Sequence, residues 1–420
     1  MRAPSCACSR DPGEKCGLGY PYKREYLGMQ QRYDVVIIGA GIHGAGVAQA
    51  VAAAGHSVLV LEQYDQPAQG SSSRSSKLIH GGLRYLESGQ IHLVHECLRE
   101  RAILLRIAPK LVRLVPFYIP VYQQTRRRPW KIFLGLGIYS LFSGKAFHWV
   151  SRKRWRQLDG LRADQLDAVF SYYDAQTDDA RLTRSVLESA RVLGADVVTG
   201  AKFTDAQLDR VAIELTYTRK SVAQTVNARV LVNASGPWVN HVLARIRRSN
   251  GEAVDTLDME LVQGTHIVVP GKLTHPYYLE AQQDGRAVFV VPWRGQIMVG
   301  TTENHYQGDP ALVHPLDSEI DYLLTVYNHY FDQHLGREQV LDAFAGLRVL
   351  PGGQGDAFSK SRDTHFLQDH HSRPRLLSIY GGKLTSYRAV SAKVLARISA
   401  SLPETTPIAD TRRLKLPVVD

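Results

Sequence analysis

The first regular pattern along the chain is a short apolar strand, a glycine turn and an alanine-rich helix. Val35 to Ile38 is an apolar, β-branched run that ends at Gly39, and a helix is predicted over Ala45 to Ala54. Ser57 to Leu61 then predicts a second strand. A strand, a helix and a strand within about 30 residues form a βαβ unit, which requires a parallel sheet.

Two more helices and a β-rich second half follow. Ile91 to Ile107 has its apolar residues on one face, and Asp178 to Leu193 begins with acidic residues that suit a helix N-terminus. The later segments that alternate or are fully apolar predict strands, at 211–217, 228–233, 267–269, 287–291, 297–300 and 376–380. We therefore expect an α/β (α+β) chain of two domains, a Rossmann-like domain and a mixed-sheet substrate domain.

Composition agrees with this organisation, and charge adds to it. The 420 residues are 44% hydrophobic and 22% charged, which excludes collagen-like, coiled-coil and wholly disordered proteins. The formal net charge is +11, but Arg101 to Leu158 contains 13 Lys or Arg and no Asp or Glu, so the rest of the chain carries −2. Such a local excess of positive charge indicates an anionic partner.

The basic stretch surrounds an apolar run of 13 residues, Trp130 to Phe142, which is too short to span a bilayer. Lys and Arg cluster at 126–131 and 145–156, and aromatic residues are interleaved at Trp130, Tyr139, Phe147, Trp149 and Trp155. This arrangement is typical of a segment that lies in an anionic membrane interface. The alternatives are a buried core helix with a solvated basic rim and a nucleic-acid groove. Because no binding module accompanies the charges, we expect no nucleic acid.

Residues 1–31 lack periodicity and predict a disordered leader. They contain no apolar run of the length that a secretory signal needs, so we expect a cytoplasmic protein, attached peripherally (monotopically) to the inner face of the cell membrane. Cys6, Cys8 and Cys16 lie in the leader and Cys97 on a predicted helix, which fits a reducing compartment. No metal site is expected.

The glycine turn after the first strand carries a dinucleotide-binding pattern. Gly39, Gly41 and Gly44 form G-A-G-I-H-G, and Glu62 ends the second strand. In this pattern the glycines allow a tight turn and close approach of the backbone to a pyrophosphate, which the helix N-terminus attracts, and the acid binds a ribose. The hydroxyl-rich, basic loop Ser71 to Lys77 follows. It is either a flexible linker or a contact to ribityl and phosphate oxygens, and the second interpretation favours FAD over NAD.

Together these motifs identify a resemblance to the FAD-dependent glycerol-3-phosphate dehydrogenases. The chain is similar to that family from about Tyr33 to about Ile398, through the runs at 33–46, S-S-S-R-S-S-K-L-I-H-G-G-L-R-Y-L-E at 71–87, 178–182, N-A-S-G-P-W at 233–238, G-T-H-I-V-V-P at 264–270, 300–302 and G-G-K-L-T-S-Y-R at 381–388. The resemblance implies a D-amino-acid-oxidase-like fold, FAD, oxidation of sn-glycerol 3-phosphate to dihydroxyacetone phosphate, and transfer of the electrons to membrane quinone. A homodimer is expected as well.

Oxidation of a secondary alcohol requires a base near the hydroxyl, cations for the phosphate and a closed pocket. His266 is the first candidate for the base, with a core histidine as the alternative, and Arg348 and Lys383 complete the expected catalytic set. The expected substrate-binding residues are Arg84, Tyr85, Arg362 and Glu303. The expected cofactor-binding residues are Gly39, Gly41, Gly44, Glu62, Ser72, Ser73, Ser76, Lys77, His80, Gly81, Ala234, Gly236, Gly382, Lys383, Leu384 and Thr385, with His43 as a weaker candidate.

These assignments divide the chain into an FAD-binding domain at 32–110, 174–240 and 340–400, a membrane-contact segment at 111–173, a substrate domain at 241–339 and a tail at 401–420. The run Val349 to Gly353 departs from the family pattern near the expected substrate pocket. The competing hypotheses are a related FAD oxidoreductase that acts on an amino acid or a 2-hydroxy acid, and a non-catalytic flavin-binding membrane protein.

Overall fold

The structure is a computed structural model that describes residues 32–83, 86, 89–209, 212–352 and 363–419; the predicted leader lies outside this part of the chain. Its strands are β1 (Arg32–Ile38), β2 (Val58–Leu61), β3 (Leu78–Ile79), β4 (Val112–Tyr122), β5 (His148–Trp149), β6 (Leu166–Thr177), β7 (Asp196–Val198), β8 (Ala201–Leu208), β9 (Ile213–Arg219), β10 (Val222–Asn233), β11 (Ile246–Arg248), β12 (Met259–Val269), β13 (Tyr277–Glu280), β14 (Ala287–Trp293), β15 (Gln296–Gly300), β16 (Asn304–Tyr306), β17 (Asp342–Pro351), β18 (His365–Gln368) and β19 (Leu376–Tyr380). Its α-helices are α1 (Ile42–Ala53), α2 (Ile91–Ile107), α3 (Pro129–Ser143), α4 (Asp179–Val192), α5 (Val239–Leu243), α6 (Asp317–Tyr330) and α7 (Tyr387–Ile398).

The first sheet has the parallel centre that the βαβ pattern predicts. Its order is β11-β8-β9-β10-β1-β2-β7, with β19 also paired to β10 and β18 to β19. β1 runs parallel to β2 and β10, and β10 runs parallel to β19. Side chains of β1 alternate between two hydrophobic clusters, Val35 and Ile37 on one face and Val36 and Ile38 on the other. The strand is fully apolar because both faces of this sheet are covered.

The second sheet is mixed and carries a helix on each face. Its order is β16-β12-β15-β14-β13-β4-β6-β3, with β17 paired to β12 and β5 to β6. On one face Ile267 and Val269 pack with α6, and on the other face Val268 packs in the cluster that contains the buried side of α3. The alternation of side chains along β12 therefore divides the core of this domain into two layers.

The structure differs from the expected domain boundaries at four places. β4 and β6, which frame the expected membrane segment 111–173, are central neighbours in the second sheet. β17 pairs with β12 over ten residues, although residues from 340 on are predicted in the FAD-binding domain. Conversely, β11 pairs with β8 of the first sheet, so within the expected substrate domain 241–339 the strands of the second sheet begin at Met259 rather than at 241. The expected tail also adds to the first domain, since Ile408 N donates to Ala53 O. These pairings are distant in sequence, so local pattern does not reveal them.

Helix α3 is the apolar run at the centre of the basic stretch, and it is only partly buried. Ile132, Leu136 and Tyr139 face the core. The opposite side, here named the exposed face of α3, consists of Trp130, Phe133, Leu134, Ile138, Leu141 and Phe142. Of the other aromatic residues predicted at a membrane interface, Trp149 is exposed and Trp155 is buried. Among the described residues no helix combines the length and the apolar character that crossing a membrane requires.

Candidate active site

A cavity of about 550 Å³ lies between the two sheets, and residues from both line it. From the first domain it receives the glycine turn after β1, the end of β2, the serine-rich segment and the segment 381–385. From the second domain it receives His266 of β12, Arg348 of β17 and the loop that follows β15. The cavity thus joins the predicted nucleotide-binding residues to the predicted catalytic residues.

The glycine turn leaves no room for larger side chains. Gly39 has a φ of +100°, and a Cβ atom there would lie 2.7 Å from the carbonyl oxygen of Ala234. A Cβ on Gly44 would overlap the carbonyl of Gly39, whereas a Cβ on Gly41 would lie 3.1 Å from Ser72 Oγ. Gly39 and Gly41 line the cavity together with Ala234 and Gly236. The turn brings backbone to the cavity wall, and Gly44 allows β1 and α1 to pack closely.

Glu62 ends β2 with its carboxylate buried at the cavity wall. Its Oε2 accepts a hydrogen bond from Ala40 N at 2.7 Å and its Oε1 accepts one from Tyr64 N at 3.0 Å. Burial raises the pKa of Glu62, although the hydrogen bonds from Tyr64 and Ala40 act in the opposite direction. The carboxylate is therefore fixed beside the glycine turn, where an acid that binds ribose hydroxyls is expected.

The serine-rich segment serves partly the cavity and partly the protein interior. Ser72 Oγ accepts a hydrogen bond from Ile42 N at 2.9 Å, and Ser72 and Ser76 line the cavity. Ser73 Oγ instead donates to Gly70 O at 3.2 Å. Lys77, expected at the cofactor, forms a buried ion pair with Asp179 at 2.8 Å and is not one of the residues described as lining the cavity. Its charge is compensated by the protein itself.

The residues that follow β3 also divide between the cavity and the protein interior. His80 and Gly82 line the cavity. Gly81, expected at the cofactor, donates its N–H to Tyr139 Oη at 3.1 Å and to Asp174 Oδ1 at 3.0 Å, so its role here is structural. Arg84 and Tyr85 lie outside the described residues, as does Arg362.

The segment after β19 brings the last predicted cofactor residues to the cavity. Gly382, Lys383, Leu384 and Thr385 all line it. A Cβ on Gly382 would overlap the ring of His43, which begins the first turn of α1 together with Ile42. Burial lowers the pKa of His43 to about 4, and its Nδ1 is buried without a hydrogen-bond partner among the described residues. The histidine is therefore neutral, and it lines the cavity.

His266 lies in the middle of β12 and reaches the cavity beside Ser76. Its ring stacks on Phe344 at 5.1 Å between centroids, and its Nε2 lies 2.9 Å from Ser76 Oγ. Burial lowers the pKa of His266 well below its usual value, and the positive charges of Lys77 and Arg348 lower it further. The imidazole is therefore neutral at physiological pH, the state in which it can accept a proton.

Arg348 is held by two residues of the loop after β15. Its Nη1 donates to Glu303 Oε1 at 2.7 Å, and its Nη2 donates to Thr301 Oγ1 at 3.3 Å. Arg286, which the sequence motifs do not single out, lines the same cavity and donates from Nη1 to the backbone oxygen of Glu303 at 2.8 Å. The short loop after β15 thus binds two guanidinium groups that come from other parts of the second domain. For Arg286 no local signal was available, because D-G-R in a turn is an ordinary surface pattern.

These residues fit FAD. One end of the cavity is formed by the glycine turn, which Cβ atoms would block. Along its wall lie the Glu62 carboxylate, the hydroxyls of Ser72 and Ser76, and His43, whose Nδ1 has no partner among the described residues. His266 and Arg348 lie at its other end. This sequence of donors and acceptors suits an elongated molecule with a ribose, a pyrophosphate and a polar ring system.

The comparisons with known proteins agree on the chemistry. The family model described as FAD dependent oxidoreductase matches residues 34–388. The chain is 40% identical over 374 residues to the glycerol-3-phosphate dehydrogenase of Pseudomonas aeruginosa, covering 87% of this chain and 71% of that protein. It is 35% identical over 389 residues to the D-erythritol 1-phosphate dehydrogenase of Brucella abortus, covering 88% and 74%. The crystal structure of glycerol-3-phosphate dehydrogenase from Bacillus halodurans complexed with FAD aligns with a TM-score of 0.72 at 25% identity, over 92% of this chain and 68% of that one.

Proposed function

The chain belongs to the FAD-dependent oxidoreductases and, within them, to the glycerol-3-phosphate dehydrogenases, and on this premise we propose how its cavity carries out the reaction. The protein oxidises sn-glycerol 3-phosphate to dihydroxyacetone phosphate, and its cofactor is FAD. The expected D-amino-acid-oxidase-like fold is confirmed. The observation that carries the proposal is the pair of guanidinium groups, Arg348 and Arg286, on the cavity wall that also carries His266.

The two guanidinium groups bind the phosphate of the substrate. A phosphate ester at neutral pH carries close to two negative charges and offers three oxygens, and guanidinium groups donate to such oxygens in pairs. The charge of Arg348 is partly neutralised by Glu303. The net attraction of the cavity for an anion therefore depends also on Arg286 and Lys383, which line it as well. A carboxylate, with a single charge, gains less from this set of cations. This difference favours polyol phosphates over amino acids and 2-hydroxy acids.

His266 receives the proton of the C2 hydroxyl. Its ring lines the cavity, and its Nδ1 is buried and has no hydrogen-bond partner in the described part of the chain. Ser76 Oγ, 2.9 Å from Nε2, orients the ring. The nearby charges of Lys77 and Arg348 keep the imidazole neutral before the reaction. Bound FAD supplies the hydride acceptor.

The glycine turn, Glu62, Ser72 and the 381–385 segment line the same cavity as His266 and would hold the cofactor there. The glycine turn and the N-terminus of α1 suit the pyrophosphate, and Glu62 suits the ribose. The mutual positions of these groups are set by β1, β2 and β19, which are neighbours or next neighbours of β10 in the first sheet.

Anaerobic titration of the flavin-loaded protein tests the assignment. We expect sn-glycerol 3-phosphate to bleach the flavin absorbance, D-erythritol 1-phosphate to serve as a second polyol phosphate for comparison, and amino acids and 2-hydroxy acids to leave the absorbance unchanged. Bleaching by a carboxylate substrate and none by a polyol phosphate would refute the substrate assignment. Lys383→Gln should raise KM for glycerol 3-phosphate, because it removes a cavity cation.

The protein works at the inner face of the cell membrane and passes its electrons to quinone. This proposal is supported by the exposed face of α3 and by the exposed cations around it, Lys131, Lys145, Arg152, Lys153, Arg154 and Arg156. An apolar plane rimmed by cations suits an anionic bilayer surface, where quinone is dissolved. The buried side of α3 packs in the same hydrophobic cluster as Tyr278 and Phe289, which line the cavity. This hydrophobic cluster therefore lies between the exposed face of α3 and the cavity.

A further inference from the structure

Glu319 is a buried carboxylate at the start of α6 that no sequence motif singles out. It is 2% exposed. Its two oxygens accept five hydrogen bonds, all from neutral donors: Thr302 Oγ1 at 2.6 Å, Asn304 Nδ2 at 2.8 Å, Thr265 Oγ1 at 2.6 Å, Gln263 Nε2 at 2.6 Å and Leu316 N at 3.1 Å. Burial raises the pKa of Glu319, but these hydrogen bonds outweigh it and leave the pKa below its usual value. The group is therefore ionised, and its charge is spread over the donors.

The donors come from the reverse side of two segments whose other side chains line the cavity. On β12, Gln263 and Thr265 bind Glu319, while Gly264 and His266 line the cavity. The same alternation occurs after β15. There Thr302 and Asn304 bind Glu319, while Thr301 and Glu303 line the cavity. Thr302 Oγ1 also accepts a hydrogen bond from Thr265 N at 2.8 Å, which joins the two segments directly.

The cavity side of the second segment determines where the two guanidinium groups lie. Glu303 binds Arg348 through its carboxylate and Arg286 through its backbone oxygen, and Thr301 binds Arg348 through its hydroxyl. A displacement of the 301–304 segment would therefore move both cations. The pairing of β16 with β12 and the hydrogen bond between Thr265 and Thr302 hold this segment on β12, and Glu319 adds hydrogen bonds to side chains of both segments.

We propose that Glu319 is a positioning residue for substrate binding, which fixes the 301–304 segment on β12 and thereby places Arg348 and Arg286 for the phosphate of the substrate. The inference rests on the proposed role of these two arginines. Glu319 itself does not contact the substrate in this proposal. It acts through a chain of contacts that runs from Glu319 to Thr302 and Asn304, then to Glu303, and from Glu303 to the guanidinium groups.

Two substitutions test the proposal in the flavin-loaded protein. Glu319→Gln keeps the size of the side chain but replaces one acceptor oxygen with a donor that faces other donors. Thr302→Val removes one of the hydroxyls, and Thr302→Ser restores it. Asp317→Asn is the matched control, since Asp317 lies on the same helical turn with its side chain 83% exposed. KM for sn-glycerol 3-phosphate and the dissociation constant of inorganic phosphate, followed by the change in flavin absorbance, are the measurements.

We expect Glu319→Gln and Thr302→Val to raise both constants by about tenfold or more, because each variant loses one charge-assisted hydrogen bond. Thr302→Ser and Asp317→Asn should remain close to wild type, and the affinity for FAD should not change. In an Arg348→Gln background the effect of Glu319→Gln on phosphate binding should be clearly smaller than in wild type, because only Arg286 is then left to be positioned and residues that act through one another are not additive. A purely structural role would leave the two effects additive.

The outcomes distinguish a failure of the positioning role of Glu319 from a failure of the proposed function. Unchanged constants in both Glu319→Gln and Thr302→Val, or full additivity with Arg348→Gln, would overturn the positioning role. Should Glu319→Gln not fold, the Thr302→Val and Thr302→Ser pair decides. If wild type fails to be reduced by glycerol 3-phosphate, the proposed function fails, while the dissociation constants of inorganic phosphate still decide whether Glu319 positions the two arginines.

Discussion

Membrane attachment through α3 predicts a large effect of a single apolar substitution. Leu141 is 84% exposed, so nearly all of its side chain is available for transfer into a bilayer interface. Full burial of a leucine side chain is worth about 1.5–3 kcal/mol, and the exposed share gives about 1.3–2.5 kcal/mol. Leu141→Gln should therefore lower the partition coefficient onto vesicles by about 10- to 60-fold.

The electrostatic part of the same attachment is tested by Lys153→Gln with Arg154→Gln. Each cation near an anionic leaflet contributes about 1 kcal/mol, so the double variant should bind about 30-fold more weakly. The assay is co-flotation with phosphatidylcholine vesicles with and without phosphatidylglycerol, at low and high salt. Salt should weaken the binding of wild type, since the screening length falls from about 10 Å at 0.1 M to about 3 Å at 1 M.

Two controls match these changes in chemistry. Val192→Gln replaces an exposed apolar residue on α4, and Arg219→Gln with Lys220→Gln removes two exposed cations at the turn between β9 and β10. Both should bind vesicles as wild type does. Equal binding by Leu141→Gln and wild type, or failure of wild type to bind anionic vesicles at low salt, would refute the assignment of this face to the membrane.

Four further predictions concern the site and its support. Glu62→Gln should weaken FAD binding by about 10- to 100-fold, as measured by equilibrium ultrafiltration, because a carboxylate acceptor is lost; unchanged FAD affinity would contradict its role. Since burial, Lys77 and Arg348 lower the pKa of His266, the acidic limb of kcat/KM should lie below pH 6.5, and a limb at or above that value would exclude His266 as the base. The low pKa of His43 should also make the unfolding free energy decrease as the pH falls from about 6.5 towards 4, because the unfolded chain takes up the proton first, and His43→Asn should reduce this slope. Tyr139→Phe should lower the unfolding free energy in urea by about 1–3 kcal/mol, because Asp174 and Gly81 N lose a buried partner, and a change near zero would show that this hydroxyl is dispensable.

Local spacing was sufficient to predict that the glycine turn and Glu62 lie together, and both line the cavity. The strand, turn and helix around Gly39 are encoded within a few residues, and Glu62 is fixed by its place at the end of the next strand. The same reasoning could not separate contact from support within a motif. Lys77 and Gly81 belong to runs that reach the cavity, yet Asp179, Asp174 and Tyr139 bind them inside the protein. A linear motif records which residues occur together, while the direction of each side chain depends on partners far away in the sequence.

The second half of the site depends on pairings that no local pattern reveals. β12 meets β17 across more than seventy residues of chain, and this pairing alone brings Phe344 onto the ring of His266 and Arg348 to the same wall. Arg286 and Glu319 occur in an ordinary turn and at an ordinary helix start, so neither stands out until the sheet is formed. Non-local strand register is what brings these scattered polar residues together at the proposed phosphate site.

The basic stretch, which the sequence presents as one patch, performs two separate tasks in the folded protein. Arg101 is buried against Asp174, and Arg127 pairs with Glu280, so these cations hold α2 and the start of α3 to the second sheet and contribute little to the external field. Tyr139 of α3 joins the Arg101–Asp174 pair. The internal cations therefore fix the helix, and the exposed ones are the cations that the proposal assigns to the anionic surface. Neutralising an internal cation should lower stability, whereas neutralising an exposed one should lower only membrane binding, because a buried charge that loses its partner costs several kcal/mol and a solvated one does not.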